Sequence, residues 1–569
     1  MSARRKRWVL REPAPPEFVA ELAYSPIVSN LLYQRDIRDK QTAEEFLHSD
    51  YRTGLHDPFL MKDMDVASAR IARAIENGES MAVYGDYDTD GVTAVALLMQ
   101  AIPAMGGKLR PYIPHRVREG YGLNREAIES LANDGISLLI TVDCGISNLA
   151  EVAYARELGL DVIVTDHHSP PEEVPNANAV VNPKQKDCSY PYDQLVGVGI
   201  AYKLVQAIVR QGLRLPLRGR DLLDVVAVGT VTDMGPLTGE NRVLVKHGLD
   251  ALNSTSRPGL RALINASGLT QGKIKASDIG FGLGPRINAA GRLDDATRSY
   301  DLLLAENFAS AEKLASELNQ ANRQRQDLTK EVQESAKAFA ESDGSVENRI
   351  IVIAGEDYPA GVVGLVAGRL VEEWGRPVLI LERKEEVAVG SARSVRGFNI
   401  IEALRRCDDL FVRYGGHSMA AGFTIENAKL PELNQRLQEI AAEQLDDDML
   451  VPKLEIDMEI ALSDINWDLV HLLETLEPYG QANPQPVFMS RNLHVVSVQT
   501  RGADKQHLSM TISDGSNNPP FKAIAFRLGH LAPALNRHPY IDLAYHIEER
   551  EWNGERSIQL NVRDFRRAS

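Results

Sequence analysis

The chain has 569 residues, 44% hydrophobic and 25% charged, with 63 Lys plus Arg against 79 Asp plus Glu for a net charge of −16. This composition suits a folded protein of two to four domains and excludes disordered, collagen-like and disulfide-stapled chains. An acidic body can bind nucleic acid only through local basic grooves.

Three cysteines, Cys144, Cys188 and Cys407, form no CxxC pair. That fits a reducing compartment and argues against structural zinc. No apolar run reaches the roughly 18–20 residues that span a bilayer. The start, MSARRKRWVLREPAPP, is basic but lacks the apolar stretch of a secretory signal. A cytoplasmic protein without membrane contact is expected.

Residues 1–55 form a proline-containing lead-in. From Met64 to Thr232 short apolar runs alternate with amphipathic segments. SMAVY (80–84), SLLITV (137–142), LDVIVT (160–165) and NAVVN (178–182) predict buried strands. TAVALLMQAI (93–102) and REAIESLAND (125–134) predict helices between them. This alternation predicts a mostly parallel sheet covered on both faces, in an α/β domain over 56–300. Leu314, Leu318, Ala321, Arg325, Leu328, Val332, Ala336 and Phe339 then step by three and four. They predict a connecting helix of about thirty residues within 301–345. A second α/β domain over 346–450 opens with RIIVIAG (349–355) and PVLILER (377–383). Residues 451–569 carry strand patterns of period two, with Asn553-Gly554 as a hairpin turn. Five or six short antiparallel strands there predict a small barrel of OB type.

The strongest chemical signal is YGDYDTDGV (84–92), directly after the apolar run MAVY. Asp86, Asp88 and Asp90 repel one another and need a cation or strong donors nearby. A calcium-binding EF-hand loop would need Glu at its twelfth position, which counts to Leu97 here, so that possibility fails. A helix-capping acidic turn beginning a helix near Thr93 remains open. Three further segments place Asp143 after LLITV, Asp166, His167 and His168 after DVIVT, and Asp233 after a fourth apolar run, VVAVGTVT. Each alone suits a helix cap, a turn or a satisfied histidine. Together they put acids and imidazoles at the carboxyl ends of four apparent strands, where open α/β sheets bind ligands. Carboxylate oxygens with one or two imidazoles suit Mg²⁺ or Mn²⁺. The number of candidates suits two ions roughly 3.5–4 Å apart, an arrangement for in-line attack on phosphorus. The residues alone therefore point to a two-metal phosphoesterase.

DYDTDG, VDCG, TDHH and Asp233 resemble, in order and setting, the motifs of the DHH phosphoesterase family. GLGPRINAAGRL (282–293), VRYGGHSMAAGF (412–423), the long helix and the β-rich tail narrow the resemblance to its single-strand-specific exonucleases. The resemblance implies that Asp143 bridges two metals, that Asp88 holds one ion with it, and that Asp90, His167 and Asp233 hold the other. Asp86 is then either a ligand or a base beside the metals. His168 would face the scissile phosphate, and Asp166 would orient a histidine. Pyrophosphatase-type members have His four positions before the first DxD aspartate, where this chain has Tyr84. The 346–450 region resembles the DHHA1 substrate-binding domain. Gly415, Gly416 and His417 match its GGH motif. Ser391 and Arg393, on one side of a strand, would grip a terminal phosphate together with His115 and Arg116. Arg286, Asn288 and Arg292 are expected to line an interdomain cleft. Gly361, Gly364 and Gly368 read as a close-packed helix face.

In the tail, Arg491, Arg501, Lys505, Lys522 and Arg527 alternate with Phe521, Phe526, Tyr545 and Trp552. Such interleaving suits stacked bases and paired phosphates of a single strand. The resemblance implies a 5′→3′ exonuclease releasing 5′-mononucleotides from single-stranded DNA in recombination and repair. It further implies a monomer with single-stranded-DNA-binding protein and a RecQ-type helicase as partners. Two rival functions remain: a DHH phosphodiesterase of nanoRNA or cyclic dinucleotides, and a non-catalytic single-strand-binding scaffold.

Overall fold

The computed structural model describes residues 6–568 except 117, 294, 517, 518 and 553. The chain forms two compact units, each discontinuous in sequence: residues 1–10 with 322–456, and residues 11–321 with 457–569. Strand β1 (Arg7–Leu10) begins the first of these.

The larger unit is built on a parallel sheet of β2 (Ser80–Gly85), β3 (Lys108–Tyr112), β4 (Leu138–Val142), β5 (Asp161–Thr165) and β6 (Ala179–Val181), in the order β3-β2-β4-β5-β6. All four of its pairings are parallel. β2, β4, β5 and β6 fall within a residue or two of their predicted positions, because buried parallel strands read as uninterrupted apolar runs. β3 has no such run. It is an edge strand with Lys108, Arg110 and Pro111, residues that an edge tolerates.

The fourth apolar run is not a strand. Leu223–Thr232 is a helix whose residues 223–230 are all buried. It packs among helices Thr89–Ala104, Gly197–Arg210 and Gly239–Asn253. A helix buried on every side has no polar face, so its sequence loses the 3.6-residue period and imitates a buried strand. Asp233 therefore caps a helix C-terminus instead of ending a strand.

In the smaller unit a five-stranded sheet follows the order β10-β11-β9-β8-β7. Its members are β7 (Ile351–Gly355), β8 (Val378–Arg383), β9 (Val387–Arg393), β10 (Phe411–His417) and β11 (Ala420–Glu426). β7 and β8 are parallel and the other pairs are antiparallel. β12 (Lys453–Ile456) pairs in parallel with β1. The connecting helix runs from Phe308 to Ser342. Ala311, Ala315 and Leu318 join the core of the larger unit, and Val332, Ala336 and Ala340 that of the smaller. Phe339, placed on the apolar stripe by spacing, is exposed.

The tail of the larger unit is a closed barrel. β13 (Met458–Glu459) lies beside β14 (Phe488–Arg501), followed by β15 (His507–Ser513), β16 (Phe521–Ala525), β17 (Tyr540–Trp552) and β18 (Glu555–Arg567). The order β14-β15-β16-β18-β17 closes through β17–β14, with β16–β18 parallel and the rest of the ring antiparallel. This is the OB arrangement, in which closure removes the sheet edges. β17 and β18 pair up to Trp552↔Glu555, and Gly554 has φ +82°. Asn553 itself lies outside the described residues. The proline-containing lead-in holds helices Pro16–Leu22, Pro26–Tyr33 and Lys40–His48. Phe18, Leu31, Leu32 and Phe46 share one core with the barrel residues Phe488, Leu508, Leu543 and Leu560.

Arg242 ties the barrel to the parallel-sheet part of the unit. Its guanidinium is buried, lies 3.8 Å from the Phe46 ring, and donates to the carbonyls of Phe46 (2.8 Å), Leu476 (3.0 Å) and Glu477 (2.7 Å). Burial pulls its pKa down to about 10. Arg242→Met orphans these carbonyls and should destabilise the unit by roughly 3–5 kcal/mol. Chemical denaturation followed by Trp fluorescence measures this, and an unchanged midpoint would show that the clip carries no stability.

His546 gives the barrel a pH dependence. It is buried, donates from Nδ1 to the Pro486 carbonyl at 2.7 Å, and has its pKa lowered by burial to about 4. A folded pKa below the unfolded value of about 6.5 means that the folded state binds fewer protons. Stability from this group is complete above about pH 6.5 and falls as acid approaches pH 4, by about 3 kcal/mol in total. Thermal melts of His546→Gln should therefore decline less steeply between pH 7 and 5 than those of the parent.

Candidate metal centre

The acidic turn after β2 folds tightly because Gly91 has no side chain. A Cβ there would lie 2.4 Å from the Asp86 carbonyl. Asp88 is the N-cap of helix Thr89–Ala104, and its Oδ1 accepts from the amides of Asp90 (2.9 Å) and Gly91 (3.2 Å). The helix thus starts four residues before Thr93, and capping coexists with a second task for the carboxylate. At the end of β4, Asp143 adopts φ +61°, a left-handed conformation costly for a residue with a side chain. Asp166 and the two histidines follow β5.

These elements bring three groups of ligand atoms together, each within 4.8 Å: Asp86, Asp88 and Asp143; Asp90, His167 and Asp233; and Asp143, His167 and His168. Asp143 and His167 each occur in two groups. His167 Nε2 lies 3.0 Å from Asp143 Oδ1, yet neither atom makes a hydrogen bond of acceptable geometry, and Asp86 Oδ1 is likewise buried without a partner. Buried polar atoms left in this state are costly unless something else binds them.

The electrostatics agree. Burial raises Asp86, Asp143 and Asp233 well above the usual carboxylate range, and neighbouring aspartates add to the effect. Burial and the charge of Asp88 push Asp90 up to about 7. Burial, with His168 beside it, pushes His167 down to about 3, leaving a neutral imidazole suited to metal ligation. Packed negative charge with oxygen and neutral nitrogen donors is what divalent cations compensate, so the donor set fits two such ions.

Asp90 has further support. Its Oδ2 accepts from the Gly197 amide at 2.6 Å and its Oδ1 from the Val198 amide at 2.8 Å, at the N-terminus of helix Gly197–Arg210. Free amides and the helix dipole favour an anion there. Glycine is required at 197, because a Cβ would meet Asp143 Cβ at 2.6 Å and Asp90 Oδ2 at 2.9 Å. Sequence reasoning missed Gly197. The available signal was VGVG opening an apolar helix, but its partner carboxylate lies 107 residues away.

Asp166 is fully buried. Its Oδ1 contacts His168 Nδ1 at 2.7 Å and accepts from the amides of His167 and His168, while its Oδ2 accepts from the Ile146 amide. Burial opposes this pair's ionisation, but their mutual hydrogen bond and charge outweigh it. Asp166 titrates below its ordinary range and His168 above. Tyr84 is fully buried. It stacks on Tyr112 at 4.9 Å and donates to the Gly122 carbonyl.

Among the residues expected to hold substrate, Arg116, Asn288 and Arg292 line the same pocket as Asp86, Asp88 and Asp233. Arg116 lies over the Tyr87 ring at 5.0 Å. Asn288 Oδ1 accepts from the Thr89 amide and hydroxyl, each at 2.9 Å. The amide of His115 is fixed by Glu119 at 2.7 Å. Arg286 donates to the Gly282 carbonyl and to Asn319, and does not line that pocket. In the smaller unit Ser391 and Arg393 share one side of β9, with Arg393 Nη1 2.8 Å from Ser391 Oγ. Gly364 lets helix Ala360–Trp374 approach them: a Cβ would stand 2.9 Å from Arg393 Nη2. Gly415, Gly416 and His417 end the exposed edge strand β10, and Gly416 has φ +148°. In the barrel Phe526 is 54% exposed beside His507. Tyr545 is fully buried with its hydroxyl 2.7 Å from Ser490 Oγ, so it is a core residue and offers no stacking surface. The Trp552 side chain lies outside the described residues.

Family models match along the chain in this order: the DHH family N-terminal domain over residues 80–230, the DHHA1 domain over 347–443 and the RecJ OB domain over 456–564. The single-stranded-DNA-specific exonuclease RecJ of Bacillus subtilis is 38% identical over 569 residues, covering 99% of this chain and 71% of its own length. The RecJ of Escherichia coli is 33% identical, covering 94% of this chain and 95% of its own length. The crystal structure of Thermus thermophilus RecJ with Mn²⁺ superposes with a TM-score of 0.83 at 31% identity, covering 99% of this chain and 80% of that one. The same protein has been solved with Mg²⁺. Three domains in the same order, a shared architecture and end-to-end identity above 30% lead to one conclusion: the chain belongs to the RecJ family of DHH phosphoesterases.

Proposed function

We propose that the protein hydrolyses phosphodiester bonds of single-stranded DNA from the 5′ end, releasing 5′-mononucleotides, with two divalent cations. The observation that carries this is the set of buried, unpartnered carboxylate and imidazole atoms at the edge of the parallel sheet, in a chain that also carries an OB barrel. Two bound cations supply Lewis acidity toward phosphorus and lower the pKa of water. Mg²⁺ and Mn²⁺ both suit these donors.

The chain's own residues do the rest. Asp86, Asp88 and Asp143 form one ligand set, and Asp90, His167 and Asp233 the other, with Asp143 between them. The amides of Gly197 and Val198 hold Asp90 in place, and Asp166 fixes the ring of His168 toward the reacting phosphate. Arg116, Asn288 and Arg292 contact the phosphate backbone. In the larger unit His115 and Arg286, and in the smaller Ser391, Arg393 and the Gly415-Gly416-His417 strand end, each offer donors that bind phosphate. The exposed faces around Phe526, Arg501 and Lys522 on the barrel bind single-stranded DNA by stacking and charge.

The barrel argues against a phosphodiesterase confined to dinucleotides, which needs no strand track. The full ligand set argues against a non-catalytic scaffold. A monomer working in the cytoplasm with single-stranded-DNA-binding protein and a RecQ-type helicase is the finer part of this proposal, and sedimentation and pull-down with those purified proteins test it. Among the described residues no helix is long and apolar enough to cross a membrane.

The deciding assay is a time course on an oligonucleotide labelled at either end. It includes Mg²⁺, Mn²⁺ or EDTA arms, a blunt duplex and an RNA of the same sequence. Metal-dependent release of 5′-terminal mononucleotides from single-stranded DNA is expected. Binding without cleavage under both metals would establish the scaffold instead, and cleavage of very short RNA alone would establish the small-substrate enzyme.

A further inference from the structure

The pocket beside the acids, about 370 Å³, is lined by Asp86, Asp88, Asp233, Arg116, Asn288 and Arg292, groups that suit phosphate and cations, and by the half-buried Tyr87 with Thr232 and Gly291. Met234 also lines it, and at 66% exposure it is the one large apolar side chain among the described lining residues that stands out in solvent. Its backbone is unusual. The Met234 amide donates to the Val231 carbonyl (3.2 Å) and the Gly235 amide to the Thr230 carbonyl (3.0 Å). These are the two bonds of a Schellman motif ending helix Leu223–Thr232, with Met234 at the left-handed position that glycine normally takes. Its φ is +58°, a conformation that L side chains rarely adopt. A strained backbone that holds a thioether in water beside a candidate metal ligand serves no packing purpose. Strain of this kind points to a contact made with something else.

We propose that Met234 is the base rest of the nuclease: its thioether packs against the nucleobase of the nucleotide whose phosphate enters this pocket. This rests on the single-stranded-DNA reading above. A nucleotide presents an anionic phosphate and an apolar ring face. The surrounding charges serve the first, and Met234 serves the second. Methionine is flexible and polarisable, and sulfur–aromatic contacts tolerate any ring, so this rest accepts all four bases without reading sequence.

The test compares an ordinary oligonucleotide with ones carrying an abasic tetrahydrofuran residue at the first, second or third position from the 5′ end. The parent protein should favour the base-containing strand in kcat/KM by roughly 3- to 10-fold at one of these positions. Met234→Gly should remove that preference while its melting temperature holds or rises, because glycine suits the left-handed position. Met234→Leu should keep most of the preference. A merely structural role would lower stability and leave the preference intact. A glycine variant with the parent's preference, or a parent with none, overturns the assignment. A parent that degrades neither strand overturns the nuclease reading itself, a distinct result.

Discussion

Asp143→Asn should lower the exonuclease rate by at least about 10³-fold while leaving the fold intact. Asp143 belongs to two of the three ligand groups and stands between the acidic turn and His167. Removing its charge therefore disturbs both sets at once. In the metal-free protein the same change should not destabilise. The folded pKa of Asp143 is raised above its unfolded value by burial and by Asp90. Its carboxylate therefore works against folding at neutral pH, and the contribution worsens as pH rises above the unfolded value. The melting temperature of Asp143→Asn in EDTA should equal or exceed that of the parent. Added Mn²⁺, as a ligand that binds only the folded state, should stabilise the parent by about 2.7 kcal/mol at a concentration a hundred times its Kd and so raise its melting temperature. The variant should lose most of that increment. A variant with near-parental rate and a full Mn²⁺ shift would remove Asp143 from the metal centre.

Gly197→Ala should be nearly as damaging although it adds one methyl group. That methyl would sit 2.6 Å from Asp143 Cβ and 2.9 Å from Asp143 Cγ and Asp90 Oδ2, distances that force the carboxylates or the helix to move. A displacement approaching 1 Å at reacting groups costs on the order of 10²-fold in rate. The expected result is a kcat lower by about that factor and a higher Mn²⁺ concentration for half-maximal activity. Gly199→Ala, two residues on, is the control. Its methyl meets only the end of the Leu195 side chain at 3.3 Å. If both alanines behave alike, the loss at 197 reports general helix strain and not the crowding of Asp90 and Asp143.

Much of the centre could be read locally. Asp86, Asp88, Asp90, Asp143, Asp166, His167 and His168 each follow an apolar strand within a few residues, and a parallel sheet aligns the ends of its strands. Where a side chain's neighbours are its own sequence neighbours, composition and period suffice. β2, β4, β5, β6 and most of the barrel strands obey this rule. So does the pairing of Ser391 with Arg393, because alternate residues on a strand share a face.

What the chain alone could not decide were relations between distant segments. Asp233 joins the centre from a helix whose residues 223–230 are all buried, so that its sequence carries no readable period. Asp90 is held by amides that come from a helix start more than a hundred residues later. Residues 14–47 complete the barrel core, an arrangement clipped by Arg242 across some 200 residues in one direction and over 230 in the other. Tyr545 obeys the alternation of its strand, but barrel closure decides which face is inside. Local propensity and pattern are properties of short segments. Burial, by contrast, is a property of the assembled chain, and burial set which carboxylates lost their water, which histidine stayed neutral and which arginine became a clip.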